Sequence, residues 1–214
     1  MKVLVTGFDP FGGEALNPAT EVLKLLPDKL EDIEIVKQQI PTVFYSSLKV
    51  IYEKISEIKP DIVIAIGQAG GRKEISIERV AININDARIP DNEGNQPIDE
   101  AIYKEGPVAY FSTLPIKAIV HEISQHNILA TVSNTAGTFV CNHLMYGLLH
   151  HIATEKLPIK GGFIHIPFIP QQVINKEGMP AMELKAIAKG ITLAISAACH
   201  YSKGDLKIEG GKLD

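Results

Sequence analysis

Between Pro60 and Gly67 the chain reads Asp61-Ile62-Val63-Ile64-Ala65-Ile66, five apolar residues in a row. The run is too short for a helix and apolar at every position. It fits a strand covered on both faces, which is the situation of a central strand in a sheet with helices above and below. The flanking sequence supplies those helices. Thr42 to Lys59 carries Phe44, Leu48, Ile51, Ile55 and Ile58 at steps of four and three, one apolar stripe. Further strands are predicted at Lys2 to Thr6, Glu34 to Gln39, Ile128 to Val132 and Gly162 to Ile166, with an extended segment from Glu74 to Asn83. Helices are predicted after Asn17, a suitable N-cap with Pro18 behind it, and over Pro115 to Gln125 and Met182 to Ala198. The alternation predicts an α/β fold: a three-layer α/β/α sandwich on a largely parallel, mixed sheet. Residues 1–201 are expected to form one domain and 202–214 a polar, flexible tail. Pro90 to Pro107, rich in Asp, Glu and Pro, is the expected excursion or lid.

Bulk properties narrow the function. A chain of 214 residues, 45% hydrophobic and 21% charged, suits a single globular core. Net charge is −4 with Lys and Arg scattered, so neither nucleic acid nor an anionic membrane is an expected partner. Two cysteines are too few for a disulfide scaffold. Gly7 breaks the first apolar run too early for a secretory signal, and no run is long enough to span a bilayer. The expected location is the cytoplasm, where a cysteine stays a thiol.

One of those cysteines is placed for chemistry. Cys141 closes Ser133-Asn134-Thr135-Ala136-Gly137-Thr138-Phe139-Val140-Cys141-Asn142, and Leu144, Leu148 and Ile152 follow at helical spacing. It therefore falls in the first turn of a helix after a strand. Helix N-termini favour anions, so a thiolate there is expected to have a lowered pKa, and unpaired backbone N–H groups stand ready for an oxyanion. A buried, inert thiol is the alternative. A thiol nucleophile needs a base and a group that orients it. His165 qualifies by lying at the carboxyl end of a strand just before Pro167, an edge that Cys141 is expected to share; a core histidine bonded to a carbonyl is its alternative. Candidate acids are Glu78, Asp86 and Asp91. Glu78 lies in an apolar extended run and must be paired there, either with the site or with a structural cation such as Arg79. Arg88 adds positive charge for an oxyanion or forms a surface salt bridge. The turn Thr6-Gly7-Phe8-Asp9-Pro10-Phe11-Gly12-Gly13 lacks the spacing of a dinucleotide or phosphate loop; its two phenylalanines suit an apolar pocket wall. His143, His150 and His151 share a helix without a matching carboxylate set, so no metal is expected. Cys199 reads as packing.

Taken together, these blocks resemble the pyroglutamyl peptidase type I family of cysteine peptidases across nearly the whole chain. Gly67-Gln68-Ala69-Gly70-Gly71-Arg72 through Ile75-Ser76-Ile77-Glu78-Arg79-Val80-Ala81-Ile82-Asn83 is similar to the family's glutamate signature. Ser133 to Asn142 is similar to its cysteine signature. The resemblance implies a Glu78, Cys141, His165 triad and removal of an N-terminal pyroglutamyl residue from peptides through a thioester. It implies a substrate pocket of Phe8, Phe11, Thr42, Ile89, Phe139 and Val140, with Asn17 and Gln68 holding the lactam and Arg88 near the oxyanion. It implies no cofactor, and a homo-oligomer, a tetramer or a dimer. The connection from Pro170 to Met182 is short and the tail after Tyr201 runs long; neither touches the three residues. The rival functions are a cysteine amidase acting on another small cyclic amide and a nucleotide-binding α/β protein.

Overall fold

The computed structural model describes residues 1–211. In chain order its elements are β1 (Lys2–Phe8), α1 (Pro18–Leu25), β2 (Lys29–Leu30), β3 (Ile33–Ile40), α2 (Ser46–Ile58), β4 (Ile62–Gln68), β5 (Ile75–Glu78) and β6 (Val80–Ile82). Then follow β7 (Ala109–Phe111), α3 (Ile116–Gln125), β8 (Ala130–Ser133), α4 (Val140–Thr154), β9 (Lys160–Ile166), α5 (Pro170–Val173) and α6 (Leu184–His200). Seven strands form one sheet in the order β2-β3-β1-β4-β9-β5-β8. β1, β3, β4 and β9 run parallel, while β5 pairs antiparallel with β9 and parallel with β8.

Strand alternation builds the three layers. On β4, Ile62, Ile64 and Ile66 face α1, α3 and α6, while Val63 and Ala65 face α2 and α4. On β9, Ile164 and Ile166 join the first core and Phe163 the second, so the period of two puts His165 on the α2/α4 face with Phe163. The fold is the expected α/β/α sandwich.

Three details differ from the sequence expectation. The helix expected from Thr42 starts at Ser46, because Tyr45 takes a φ of 62°. Residues 42–44 stay outside the helix, with Phe44 buried against the core and its N–H donated to Asp91 Oδ2 at 2.9 Å. The extended run from Glu74 splits at Arg79: β5 stays in the large sheet, and β6 leaves to pair with β7 in a two-stranded ribbon. The tail is docked as far as residue 211. The Asp205 carboxylate accepts the Lys117 and Ala118 N–H groups at 3.0 and 2.9 Å, capping α3, which Pro115 leaves without a side-chain cap. Arg79 Nη2 donates to the Gly210 carbonyl at 2.7 Å. The last three residues of the expected tail lie outside the described residues.

Candidate active site

Gly67 ends the apolar run of β4, and its missing side chain is what admits the thiol. A Cβ there would stand 2.7 Å from Phe163 Cζ and 3.0 Å from Cys141 Sγ. The sulfur therefore rests on bare backbone. The register partner of Gly67 on β9 is His165, and that of His165 on β5 is Ser76. Glu78, two residues further along β5, shares the face of Ser76. The two arms meet: Glu78 Oε1 lies 2.7 Å from His165 Nδ1. Of the three candidate acids, Glu78 is the one bonded to the histidine. Asp91 accepts bonds from the Phe44, Glu93 and Asn95 N–H groups and from the Asn95 amide, and Asp86 is exposed.

Ionised Glu78 only accepts, so Nδ1 carries the proton and Nε2 of neutral His165 is left as an acceptor. Glu78 is fully buried, which by itself raises its pKa. The hydrogen bond from His165 and the charges of His165 and Arg72 outweigh burial and hold it below the usual carboxylate range. Burial lowers His165, and Arg72 lowers it further, against the pull of Glu78. The Cys141 thiol is pushed up to about 12, first by burial and then by the Glu78 charge; Arg72 and the backbone N–H of Cys141 act the other way. This corrects the expectation of a lowered thiol. The helix terminus is present, but burial and the neighbouring carboxylate outweigh it, and the resting pair is a thiol beside a neutral imidazole.

The approach of Cys141 also differs from expectation. β8 runs antiparallel to β9, so its carboxyl end points away from that of His165. Residues 134–139 turn the chain back and set the first turn of α4 over β4.

The residues expected to line the substrate pocket form two groups. Phe8 is buried against Phe163 at 6.3 Å between ring centroids, Phe11 packs on Phe139 at 6.1 Å, and Phe44 meets the Phe139 face edge-on at 5.4 Å. Ile89 lies beside Gly12, and Val140 is buried in the core below. The polar members have fold-building partners: Thr42 Oγ1 and Asn17 Nδ2 both donate to the Asp9 carbonyl, and Asn17 Oδ1 caps α1 through the Ala19 N–H. Gln68 Oε1 accepts from Gln172 Nε2 at 2.7 Å, which leaves the Gln68 amide N–H groups facing away from that bond. Arg88 is exposed.

Two contributors escaped the sequence reading. Arg72 donates Nη1 to Glu78 Oε1 at 2.6 Å and Nη2 to the Thr135 carbonyl at 3.1 Å, tying the acid to the loop that leads into Cys141. Its position after Gly70-Gly71 in the glutamate block was the available signal. Gln172 sits in α5, a four-residue helix without a periodic pattern. The three histidines of α4 disperse. His143 is buried and pushed down to about 4, accepting the Tyr45 N–H at Nε2 and meeting Asn85 Oδ1 through Nδ1. His150 stacks on Tyr103 and His151 on Tyr52. Among the described residues no group of three or more His, Cys, Asp or Glu is placed to hold a metal ion. Cys199 is buried at the end of α6.

Comparison with known proteins identifies the family. The sequence model of the family described as pyroglutamyl peptidase matches residues 1–201. The chain is 63% identical over 203 residues to pyrrolidone-carboxylate peptidase 2 of Caldanaerobacter subterraneus subsp. tengcongensis, covering 95% of this chain and 98% of that one. It is 57% identical over 211 residues to the pyrrolidone-carboxylate peptidase of Clostridium perfringens, covering 99% of both. The crystal structure of pyroglutamyl peptidase I from Bacillus amyloliquefaciens superposes with a TM-score of 0.94 at 53% identity, covering 97% of this chain and 99% of that one. A family match over residues 1–201, with relatives 57% and 63% identical over nearly their full length and a shared fold, places the chain in the pyroglutamyl peptidase family.

Proposed function

We propose that this chain is a cysteine exopeptidase that removes an N-terminal pyroglutamyl (5-oxoproline) residue from peptides. The observation that carries the reading is the buried Glu78–His165 pair, 2.7 Å apart, next to the strand glycine on which Cys141 Sγ rests. Cys141 is the nucleophile. Its proton passes to His165 Nε2 as sulfur attacks the pyroglutamyl carbonyl, because both groups rest neutral. The backbone N–H of Cys141, together with Arg88, receives the oxyanion. His165 then gives the proton to the leaving amine as the C–N bond breaks. Water, deprotonated by His165, hydrolyses the thioester and frees pyroglutamate. Glu78 fixes the imidazole tautomer and steadies its cationic form.

The flat, neutral lactam fits between Phe8, Phe11 and Phe139, with Ile89, Thr42 and Val140 completing the wall. Gln68, braced by Gln172, and Asn17 address its polar edge. The reaction needs no metal or cofactor. The enzyme works in the cytoplasm as a homo-oligomer, a dimer or a tetramer. Supporting an assembly, Phe111 on the β6–β7 ribbon and Val108 just before β7 stand 70% and 87% exposed. The test is release of a chromophore from a pyroglutamyl p-nitroanilide beside a prolyl control. Turnover of the first alone supports the reading; opening of free lactams without turnover of pyroglutamyl amides assigns the site to a cyclic-amide amidase.

A further inference from the structure

A cavity of about 530 Å³ lies outside the pyroglutamyl pocket. Its wall includes Arg72, Lys73, Ser76, Thr131 and Ser133. That volume is in the range of peptide-sized binding sites. It is also on the working face of the sheet. Ser76 is the register partner of His165, Thr131 of Ser76, and Ser133 of Glu78, so all of these side chains share the face that carries His165. Across that face the order is fixed by the strands: thiol over β4, base on β9, acid on β5, cavity over β5 and β8. The aromatic pocket lies on the other side of the thiol, at the ends of β1 and β3.

The strand order sets the direction of a substrate across this site, which passes above buried His165, Ser76 and Glu78 and past the Arg72 side chain that ties Glu78 to Thr135. Its lactam fills the aromatic pocket, its carbonyl lies at Sγ, and its leaving nitrogen must face His165 to be protonated. The leaving peptide therefore heads from β4 toward β9, β5 and β8. Strands lie about 4.8 Å apart, so β5 and β8 are roughly 10 and 14 Å from β4; an extended peptide covers about 3.4 Å per residue. The third and fourth residues after the scissile bond arrive over β5 and β8. Resting on the function proposed above, we propose that this cavity is the subsite for the distal part of the leaving peptide, taking its third and fourth residues in extended form. The Thr131 hydroxyl suits a main-chain group of the peptide, while those of Ser76 and Ser133 donate to the Glu74 and Thr135 carbonyls and shape the wall. Exposed Lys73 at the mouth suits a carboxylate there, such as the free C-terminus of a tetrapeptide leaving group.

The experiment is a length series. Pyroglutamyl substrates with one to five leaving residues are compared by kcat/KM with pyroglutamyl p-nitroanilide, which ends before the cavity. In the wild type the expected result is a rise of about tenfold when the third and fourth residues are added, then a plateau. Thr131→Arg, which fills the cavity from half-exposed β8, removes that rise and leaves the p-nitroanilide rate unchanged. Lys73→Glu, on an exposed loop position that cannot threaten folding, lowers the free-acid tetrapeptide substrate about threefold relative to its C-terminal amide. A flat length series with normal p-nitroanilide turnover overturns the subsite and leaves the enzyme reading intact. A rise that survives both variants overturns it as well. Absence of turnover on every pyroglutamyl substrate overturns the underlying function instead.

Discussion

Gly67→Ala adds one methyl group under the thiol. The new Cβ would meet Phe163 Cζ at 2.7 Å and Cys141 Sγ at 3.0 Å, where ordinary contacts begin at 3.4 Å and run to 4 Å. Phe163 is fully buried, so its ring has nowhere to turn. Cys141 is partly rather than fully buried, so its sulfur is the atom that gives way, by a shift of about 0.4–1 Å if contact is restored at its expense. Overpacking of this kind costs about 1–3 kcal/mol of stability. A displacement near 1 Å of a reacting atom costs on the order of 10²-fold in rate. Gly67→Ala is therefore expected to lose about 10²-fold in kcat/KM on a pyroglutamyl p-nitroanilide while remaining folded, with a lower urea midpoint. Alkylation of Cys141 by iodoacetamide should slow in parallel, since the same atom has moved. Gly204→Ala serves as control: its Cβ meets nothing within 4 Å, and stability should stay within about 0.5 kcal/mol. Wild-type kcat/KM in Gly67→Ala with an unchanged midpoint would refute the seating of the thiol on that glycine.

His143 is buried at a pKa of about 4 against an ordinary value of 6.5, so the unfolded chain takes up its proton below pH 6.5 while the folded one resists until about pH 4. Stability is full above pH 6.5 and falls by about 3 kcal/mol as the pH drops through that window; urea midpoints of His143→Gln should decline less steeply there than those of the wild type, and equal slopes would contradict the assignment. Glu78→Gln should lower kcat by roughly 10²–10⁴-fold with little change in KM. Asp91→Asn, which weakens a loop anchor, should act on unfolding by about 1–3 kcal/mol and spare kcat; the reverse pattern in steady-state kinetics would show that the acid is misassigned. Asp205→Ala removes the cap on α3 and should cost about 1 kcal/mol, or about 2–4 °C in melting temperature, with activity unchanged; an unmoved melt would mean that the tail contributes nothing there.

Much of the architecture was legible because periodicity is a local property. The run from Ile62 to Ile66 announced a strand buried on both faces, and the helix after Cys141 showed its apolar spacing. Strand direction is not local. Nothing in Ile128 to Val132 says that β8 opposes β9, so the shared carboxyl edge expected for Cys141 and His165 was wrong in detail, although a loop brings α4 back to β4. Phe44 fitted the apolar stripe of a helix, yet the left-handed backbone at Tyr45, held by His143 from 98 residues away, excludes it. The thiol pKa was misjudged for a similar reason: the helix terminus is visible in sequence, whereas burial and the Glu78 charge arise only on folding. Residue chemistry alone left three acids open, and the family block singled out Glu78. Arg72 lay in the same block unremarked, because its bond to Glu78 depends on the turn between β4 and β5. The tail was read as flexible because capping of α3 by Asp205 joins residues 87 and 88 positions apart.

The central claim is that Cys141 is the nucleophile, and turnover of pyroglutamyl p-nitroanilide by Cys141→Ala tests it most directly. With the variant shown to be folded by its urea midpoint, kcat should fall by at least about 10⁴-fold, since the other side chain packed over Gly67, Phe163, carries no nucleophile. Turnover within tenfold of the wild type would contradict the account and place the reaction elsewhere in the molecule.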